Sequence, residues 1–366
     1  MIAVSVLALL VVAAAVATFI SVPYYALTPG QAENVSTLMT LPPSKVHHHQ
    51  GGIYLTDVEL IAMRAIEYPY FKYVDNQASV IQSGAIVGII PVAEYDTDGV
   101  IDMSNATQSA TYVALRDLGY KVNAIPEGAQ LYTIDPLADT YTKLQVGDVV
   151  TAIDGSPTSQ VTALSPLVWK HKPGESVAVT YRPYTAPLSG TPATVHITLG
   201  EYRIQAGNAR CYPVGQGIRY PLVVGKGIPD PDPCLGVQVE SFYKLTDLPF
   251  PVTIDPQGIV GPSAGLAFTL GLINDLDPYS LTAGQKIAAT GTMSLNGAVG
   301  DVGGVPQKTV AVENAGATVF FVPPQEYATA KSHSNGKLKV VAVSNVSQAI
   351  AYLLKMGGKL PTNVVG

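Results

Sequence analysis

Gly258-Ile259-Val260-Gly261-Pro262-Ser263-Ala264-Gly265-Leu266 is the stretch that decides how the second half of the chain is read. A strand-like segment, Val252 to Ile254, precedes it. The apolar residues Leu266, Phe268, Leu270, Leu272 and Ile273 behind it predict a buried helix. Ser263 therefore stands where a loop turns into a helix, between residues with almost no side chain. Small neighbours let a carbonyl group and backbone N–H donors come close to the hydroxyl. The first turn of a helix also leaves N–H groups unpaired, and its positive dipole end favours a developing oxyanion. A plain N-cap serine has the same pattern, so the motif needs a partner before it implies chemistry.

A serine nucleophile needs a base. The six histidines are His47, His48, His49, His171, His196 and His333, and none is near Ser263 in the chain. His47, His48 and His49 sit in a polar stretch that reads as a solvated loop. Three consecutive histidines cannot all face one metal from regular structure, and no metal site is expected. The alternative base is a lysine whose amine is kept neutral by burial among apolar groups. Between residues 251 and 330 the lysines are Lys286 and Lys308. Lys308 ends the run Val299-Gly300-Asp301-Val302-Gly303-Gly304-Val305-Pro306-Gln307-Lys308. Pro306 suits the first turn of a helix, and the segment that follows is rich in Val and Ala and stops at Gly316. A surface lysine snorkelling from a helix is the competing reading.

Taken in order, Gly261-Pro262-Ser263-Ala264-Gly265-Leu266, Thr290-Gly291, Leu295-Asn296-Gly297-Ala298-Val299, Gly303 to Lys308 and Ala315 to Pro323 resemble the proteolytic domain of Lon-type Ser-Lys proteases. The likeness is close over about Val237 to Pro323 and looser over the rest of residues 200–366. It implies that Ser263 is the nucleophile, and that Lys308 is the general base and later the acid for the leaving amine, 45 residues further on. Thr290 would be a supporting hydroxyl that orients the amine, although a turn threonine before Gly291 fits as well. One position departs from the family. Many bacterial Lon enzymes carry an acidic residue just before Gly-Pro-Ser, and Val260 stands there, which puts resting activity in question. Lon proteolytic domains assemble into rings, so a homo-oligomer, hexameric by analogy, is implied.

Residues 121–199 have a different character. Gly128-Ala129-Gln130-Leu131-Tyr132-Thr133-Ile134 has a strand pattern. Leu144-Gln145-Val146-Gly147-Asp148-Val149-Val150-Thr151-Ala152-Ile153-Asp154-Gly155 follows, with turns at Gly147-Asp148 and Asp154-Gly155. A helix is expected around Val161 to Trp169. Then come His171-Lys172-Pro173-Gly174-Glu175 and the strand Val177 to Tyr181. This segment resembles a bacterial PDZ domain. Such domains bind extended peptide by strand addition, which would make Gly128 to Ile134 the receiving edge. The Gly-Leu-Gly-Phe form of the carboxylate-binding loop is missing.

At the other end, Ile2 to Ile20 is apolar apart from Ser5 and Thr18. As a helix it would be about 28 Å long, against a hydrocarbon core of about 30 Å. Tyr24 and Tyr25 suit an interfacial belt, so residues 1–27 are expected to be a transmembrane anchor. Ala15-Val16-Ala17 has the form of a signal-peptide cleavage site, but the apolar run continues through Phe19, Ile20 and Val22, which favours an uncleaved helix. No Lys or Arg precedes it and the first after it is Lys45. The default orientation then puts the body of the protein outside, at the cell membrane. Residues 28–120 read as a linker, to about residue 50, followed by a mixed α/β segment. In it Ile53, Leu55 and Val58 suggest a strand, Val58 to Glu67 a short helix, and Ala106 to Leu118 a helix ended by Gly119.

The 366 residues are enough for two or three domains at roughly 150 residues each. A hydrophobic content of 47% with 13% charged residues excludes a disordered chain. A net charge of −6 lacks the basic footprint of a nucleic-acid binder. Cys211 and Cys234, 23 residues apart, are not spaced as zinc ligands. Outside the cytosol a disulfide is the natural reading, and inside it two buried thiols. No phosphate-loop motif occurs, so neither ATP nor another cofactor is expected. The fold class expected is α+β: a Lon-type proteolytic domain, a PDZ-like β-rich domain and one N-terminal transmembrane helix. The function expected is an ATP-independent, membrane-anchored serine endopeptidase acting on unfolded or flexible proteins. The alternative is a PDZ-based binding scaffold whose Lon-like domain is inactive.

Overall fold

The computed structural model describes residues 2–86, 92–184, 191–205, 208–215 and 232–360. Its principal strands are β1 (Ser21–Asn34), β2 (Gly52–Arg64), β3 (Ser79–Gln82), β4 (Asn123–Ile134), β5 (Val149–Ile153), β6 (Ser176–Arg182), β7 (Ala193–Thr198), β8 (Val237–Thr246), β9 (Lys286–Ala289), β10 (Val319–Val322) and β11 (Lys339–Ala342). Its principal helices are α1 (Ile2–Ala17), α2 (Tyr68–Tyr73), α3 (Val92–Asp117), α4 (Leu164–Val168), α5 (Gly265–Leu276), α6 (Val305–Asn314), α7 (Tyr327–His333) and α8 (Val346–Lys355). They sort into two compact units. One is drawn from residues 1–89, 102–122 and 247–366, the other from residues 90–101 and 123–246.

The first unit is built on a six-stranded sheet in the order β11-β10-β9-β2-β1-β3. Strands β11, β10, β9 and β2 run parallel to one another, and β1 is antiparallel to both β2 and β3. Val319-Phe320-Phe321-Val322 in β10 is buried at every position, as expected of a parallel strand covered on both faces. Helix α5 is buried all round, and its Leu266, Phe268, Leu270 and Ile273 form the centre of the core with Ile53 and Leu55 of β2. Ala110, Val113 and Ala114, which share one face of α3, join that core, and Gly119 ends the segment with φ +81°.

The N-terminal readings need correction. Helix α1 has 16 residues, and among the described residues no helix is long and apolar enough to cross a membrane. The Thr18 hydroxyl donates to Ala15 O at 2.6 Å in the last turn. The chain then enters β1, where Tyr25 to Leu27 find ladder partners on both sides, in β2 and in β3, and Tyr24 pairs with β3. A span over 1–27 is thus cut short because two tyrosines and the core residue Ala26 are worth more in a sheet. The linker expected over 28–50 is likewise shorter. Residues 28–34 belong to β1, and Met39–Thr40 pairs with Thr253–Ile254. The three-histidine stretch is docked rather than solvated. His47 N–H donates to Asp275 O at 2.7 Å, and His49 Nε2 lies 3.0 Å from Asp277 O. Residues 58–64, expected as helix, continue β2, and the helix forms at Tyr68.

The second unit holds a sheet in the order β8-β4-β5-β6-β7, all antiparallel, with Ser156–Pro157 paired to β5. Leu131, Val150, Ile153, Val177, Val179 and Ile197 fill its core. Here the expected receiving edge at Gly128 to Ile134 is corrected. These residues lie in β4, inside the sheet, because β8 covers the whole of β4 from Asn123 to Ile134. A second small sheet in this unit pairs Gly200–Gln205 with Asn208–Tyr212 and Pro233–Cys234. Residues 200–246 therefore fold with the β-rich unit, and β1 to β3 supply half the sheet of the unit that carries Ser263. Cys211 and Cys234 form a disulfide with Cα atoms 5.9 Å apart.

Candidate active site

Ser263 lies in a single 3₁₀ turn, Pro262–Ala264, that leads directly into α5. Pro262 fixes the backbone entering the turn, and Gly265 lets it approach its neighbour strand. A Cβ at Gly265 would sit 2.8 Å from Met293 Cβ. Thr290 ends the short run after β9, and Gly291 follows with φ +153°. A side chain at Gly291 would meet Val299 Cγ1 at 2.5 Å. Freed of one, the Gly291 N–H donates to Ser263 O at 2.8 Å, and its carbonyl accepts from Leu266 N–H at 3.0 Å. The serine turn is thus stitched to the threonine turn by two backbone hydrogen bonds.

Lys308 comes from the first turn of α6, where Pro306 stands as the sequence suggested. It is 3% exposed, which removes the snorkelling reading. Its Nζ lies 2.8 Å from Ser263 Oγ and 3.3 Å from Thr290 Oγ1. Thr290 is fully buried, and its hydroxyl donates to Ser263 O at 3.2 Å. The only proton of that hydroxyl is committed, so toward the amine it acts as an acceptor. One N–H of Lys308 is thereby held, and the rest of the amine faces Ser263. The serine side is half-buried, so the nucleophile is reachable while the base is covered.

Burial lowers the Lys308 amine from its ordinary 10.5 to about 8, while the charges of Asp57 and Glu326 pull it part of the way back up. The structure thus brings together all three residues named from the sequence, from three different elements. Sequence reasoning missed Asp57 and Glu326, which tune the amine, and Thr56, whose hydroxyl donates to Lys308 O at 3.4 Å. Thr56 and Asp57 belong to β2, and the alternation in Gly52–Arg64 is the signal that would have placed them in the sheet. Val260, at the position often acidic in Lon enzymes, is 49% exposed and so faces largely outward. Among the described residues no cluster of three or more His, Cys, Asp or Glu is arranged to hold a metal ion.

In the second unit a cavity of about 350 Å³ is lined by residues that include Ile134 at the end of β4, Tyr141, Leu144 and Tyr184.

A Lon-type proteolytic domain is present in this chain: residues 241–356 match the family model for the Lon protease (S16) C-terminal proteolytic domain. Among similar proteins, the Lon protease of Methylocella silvestris is 35% identical over 120 residues, 32% of this chain and 14% of that protein. Lon protease 2 of Bacillus subtilis is 29% identical over 120 residues, 33% of this chain and 20% of that one. The archaeal Lon protease of Archaeoglobus fulgidus is 29% identical over 105 residues, 28% of this chain and 17% of that one. The matches thus span a fifth or less of these relatives. Among solved structures, the PDZ domain of the SdrC-like protein from Listeria monocytogenes is 15% identical with a TM-score of 0.21, covering 31% of this chain and 87% of that one.

Proposed function

We propose that the protein is a serine endopeptidase that cuts flexible polypeptide with the Ser263–Lys308 pair. The observation that carries this reading is the 2.8 Å contact between a serine hydroxyl and a buried lysine amine. A neutral Lys308 accepts the Ser263 proton as Oγ attacks the substrate carbonyl carbon. The tetrahedral intermediate collapses, the peptide C–N bond breaks, and the amine returns its proton to the leaving nitrogen. Water then hydrolyses the acyl-enzyme with Lys308 again as base. Thr290 holds the amine in register throughout. Each step of this reaction needs only water as co-reactant, and on this reading it proceeds without ATP. As in Lon enzymes, the protein acts on protein substrates as a homo-oligomer.

Two further observations support an extracytoplasmic place at a membrane. Every side chain described on α1 except Ser5 is apolar, and most are exposed. The Cys211–Cys234 disulfide fits an oxidising compartment. Helix α1 then enters the apolar part of a bilayer and the body stands outside the cytosol.

The test is hydrolysis of casein or a quenched fluorescent peptide by the full chain, with and without ATP, beside Ser263→Ala. The expected result is turnover indifferent to ATP and abolished in Ser263→Ala, with a fluorophosphonate probe labelling Ser263 in the wild type alone. Equal turnover by the two proteins would leave the binding-scaffold reading as the better one.

A further inference from the structure

Where α1 ends, a second apolar surface begins. Phe19 and Ile20 follow the helix and are exposed, Phe19 by 82%. This corner is fixed to the end of β2. Ala65 N–H donates to Ile20 O at 2.8 Å, Ile66 N–H to Ala17 O at 3.3 Å, and the Arg64 guanidinium to Thr18 O at 2.6 Å. Helix α2, Tyr-Pro-Tyr-Phe-Lys-Tyr, starts two residues after Ile66. Tyr68 packs edge-on against Tyr24 of β1 with ring centroids 5.0 Å apart, and Phe71 is half-buried. Tyr70 packs edge-on against Phe71 with ring centroids 5.3 Å apart, yet Tyr70, Tyr73 and Val74 are all exposed, Tyr73 by 78%. A folded domain rarely leaves so many large aromatic and apolar groups in water at one place.

We propose that α2, with Phe19 and Ile20, lies in the headgroup layer of the bilayer that α1 enters, so that the unit carrying Ser263 rests on the membrane surface. The inference builds on the reading that α1 enters a membrane. Three features identify the bilayer interface as the occupant. The surface is continuous with α1 through the hydrogen bonds above. Besides Phe19, its exposed rings are Tyr70 and Tyr73, which place an apolar ring among acyl chains and a hydroxyl among headgroups. The charged groups around α2 are Arg64, Glu67, Lys72 and Asp75, two of each sign. Glu67 accepts from Arg64 N–H, and Asp75 accepts from Gln77 N–H and Ala78 N–H. With no net charge, contact rests on apolar and aromatic burial and needs no anionic lipid.

The placement bears on the substrate. The chain leaving α2 reaches β3, and Gln307, the residue before Lys308, donates through Nε2 to Gln77 O at 3.2 Å and to Ser79 Oγ at 2.9 Å. The segment on the membrane is therefore bonded to the helix that carries the base. Substrates are then polypeptides held at the bilayer surface, such as unfolded segments beside a membrane span.

The experiment uses the full chain with Trp169→Phe, which removes the only tryptophan, and Tyr73→Trp, reconstituted in phosphatidylcholine vesicles. A second protein carries Tyr70→Trp instead, in case one site disturbs α2. The expected result is flotation with the vesicles and blue-shifted tryptophan emission. That emission should fall by about half with lipids brominated near the headgroup and much less with lipids brominated near the chain ends. Flotation with emission that only an aqueous quencher reduces, in both proteins, overturns the α2 contact while leaving α1 in the membrane. Stronger quenching from the chain ends overturns the interfacial placement. Failure to float removes the membrane reading of α1 and this inference with it.

Discussion

Lys308 Nζ and Ser263 Oγ stand 2.8 Å apart although 45 residues separate them. Nothing local brings them together, since each starts a different helix. The pair is closed by the sheet, because the turn at Thr290-Gly291 bonds the serine loop on one side and touches the amine on the other. A geometry held by backbone hydrogen bonds survives the loss of either side chain. Ser263→Ala and Lys308→Arg should therefore fold, and each should lower kcat/KM by about 10³-fold or more. Arginine fails because its guanidinium stays protonated at any working pH. Peptide hydrolysis with thermal melts by circular dichroism checks both statements, and an active Lys308→Arg would rule the base out.

The pH dependence follows from the lowered amine. With Lys308 titrating at about 8, about a tenth of the molecules hold a neutral base at pH 7 and about nine tenths at pH 9. Turnover of a peptide without ionisable groups should rise about ten-fold between these values and then level off. A profile that is flat from pH 6 to 9 would count against the neutral-amine mechanism.

Stability moves with the same group. Between pH 8 and 10.5 the unfolded chain holds the Lys308 proton and the folded chain does not, so stability rises with pH in that window. Below pH 8 both states are protonated, and the full cost of a buried ammonium, about 3 kcal/mol, is carried by the fold. Lys308→Met should thus be inactive yet more stable than the wild type at pH 7, with the difference shrinking toward pH 10.5. Urea denaturation at the two pH values measures it.

Thr290→Val keeps the shape of the side chain and removes its hydroxyl. Ser263 O still accepts from Gly291 N–H at 2.8 Å, so no carbonyl is stranded and stability should change by only about 1 kcal/mol. The amine loses an acceptor that, besides Ser263 itself, holds it in place. Turnover should fall by about 10- to 100-fold, with the rise in the pH profile moved to lower pH because the ammonium form has lost a hydrogen bond. Thr290→Ser should restore most of the activity.

Much of this was legible in the sequence, and the rest was hidden for physical reasons. Ser263 and Lys308 could be singled out because small residues with Pro262 and Pro306 mark the turns that carry them, while Thr290 was named only through the resemblance to the Lon-type order of motifs. The apolar surroundings of α5 and β10 are equally plain. The contribution of β1 to β3 was only partly legible: Ile53, Leu55 and Val58 suggest a strand, but the parallel pairing of β2 with β9 joins residues more than two hundred apart and leaves no local trace. Tyr24 to Leu27 can serve a membrane helix or a strand, and only the partners in β2 and β3 decide between them. For the same reason Gly128 to Ile134 reads as an edge strand until β8, more than a hundred residues later, covers it. Asp57 lies on β2, whose strand pattern is visible but whose approach to Lys308 across the fold is not, so its bearing on the amine leaves no trace in the sequence.

That bearing gives a last expectation. The carboxylates of Asp57, on β2, and Glu326, just ahead of α7, both raise the Lys308 amine against the effect of burial, and Asp57 does so more. Asp57→Asn removes the charge but keeps an oxygen where Oδ1 accepts from Gln31 N–H at 2.6 Å. The β1–β2 corner should therefore stay intact. Without the carboxylate the ammonium form is less favoured, and the neutral base becomes more abundant at pH 7. The rise in the pH–activity profile should move to lower pH, with turnover at pH 7 increased and turnover at pH 9 nearly unchanged. Glu326→Gln should do the same to a smaller degree. Parallel pH profiles of the three proteins decide the matter, since a merely structural role for Asp57 would lower activity equally at every pH and leave the midpoint in place.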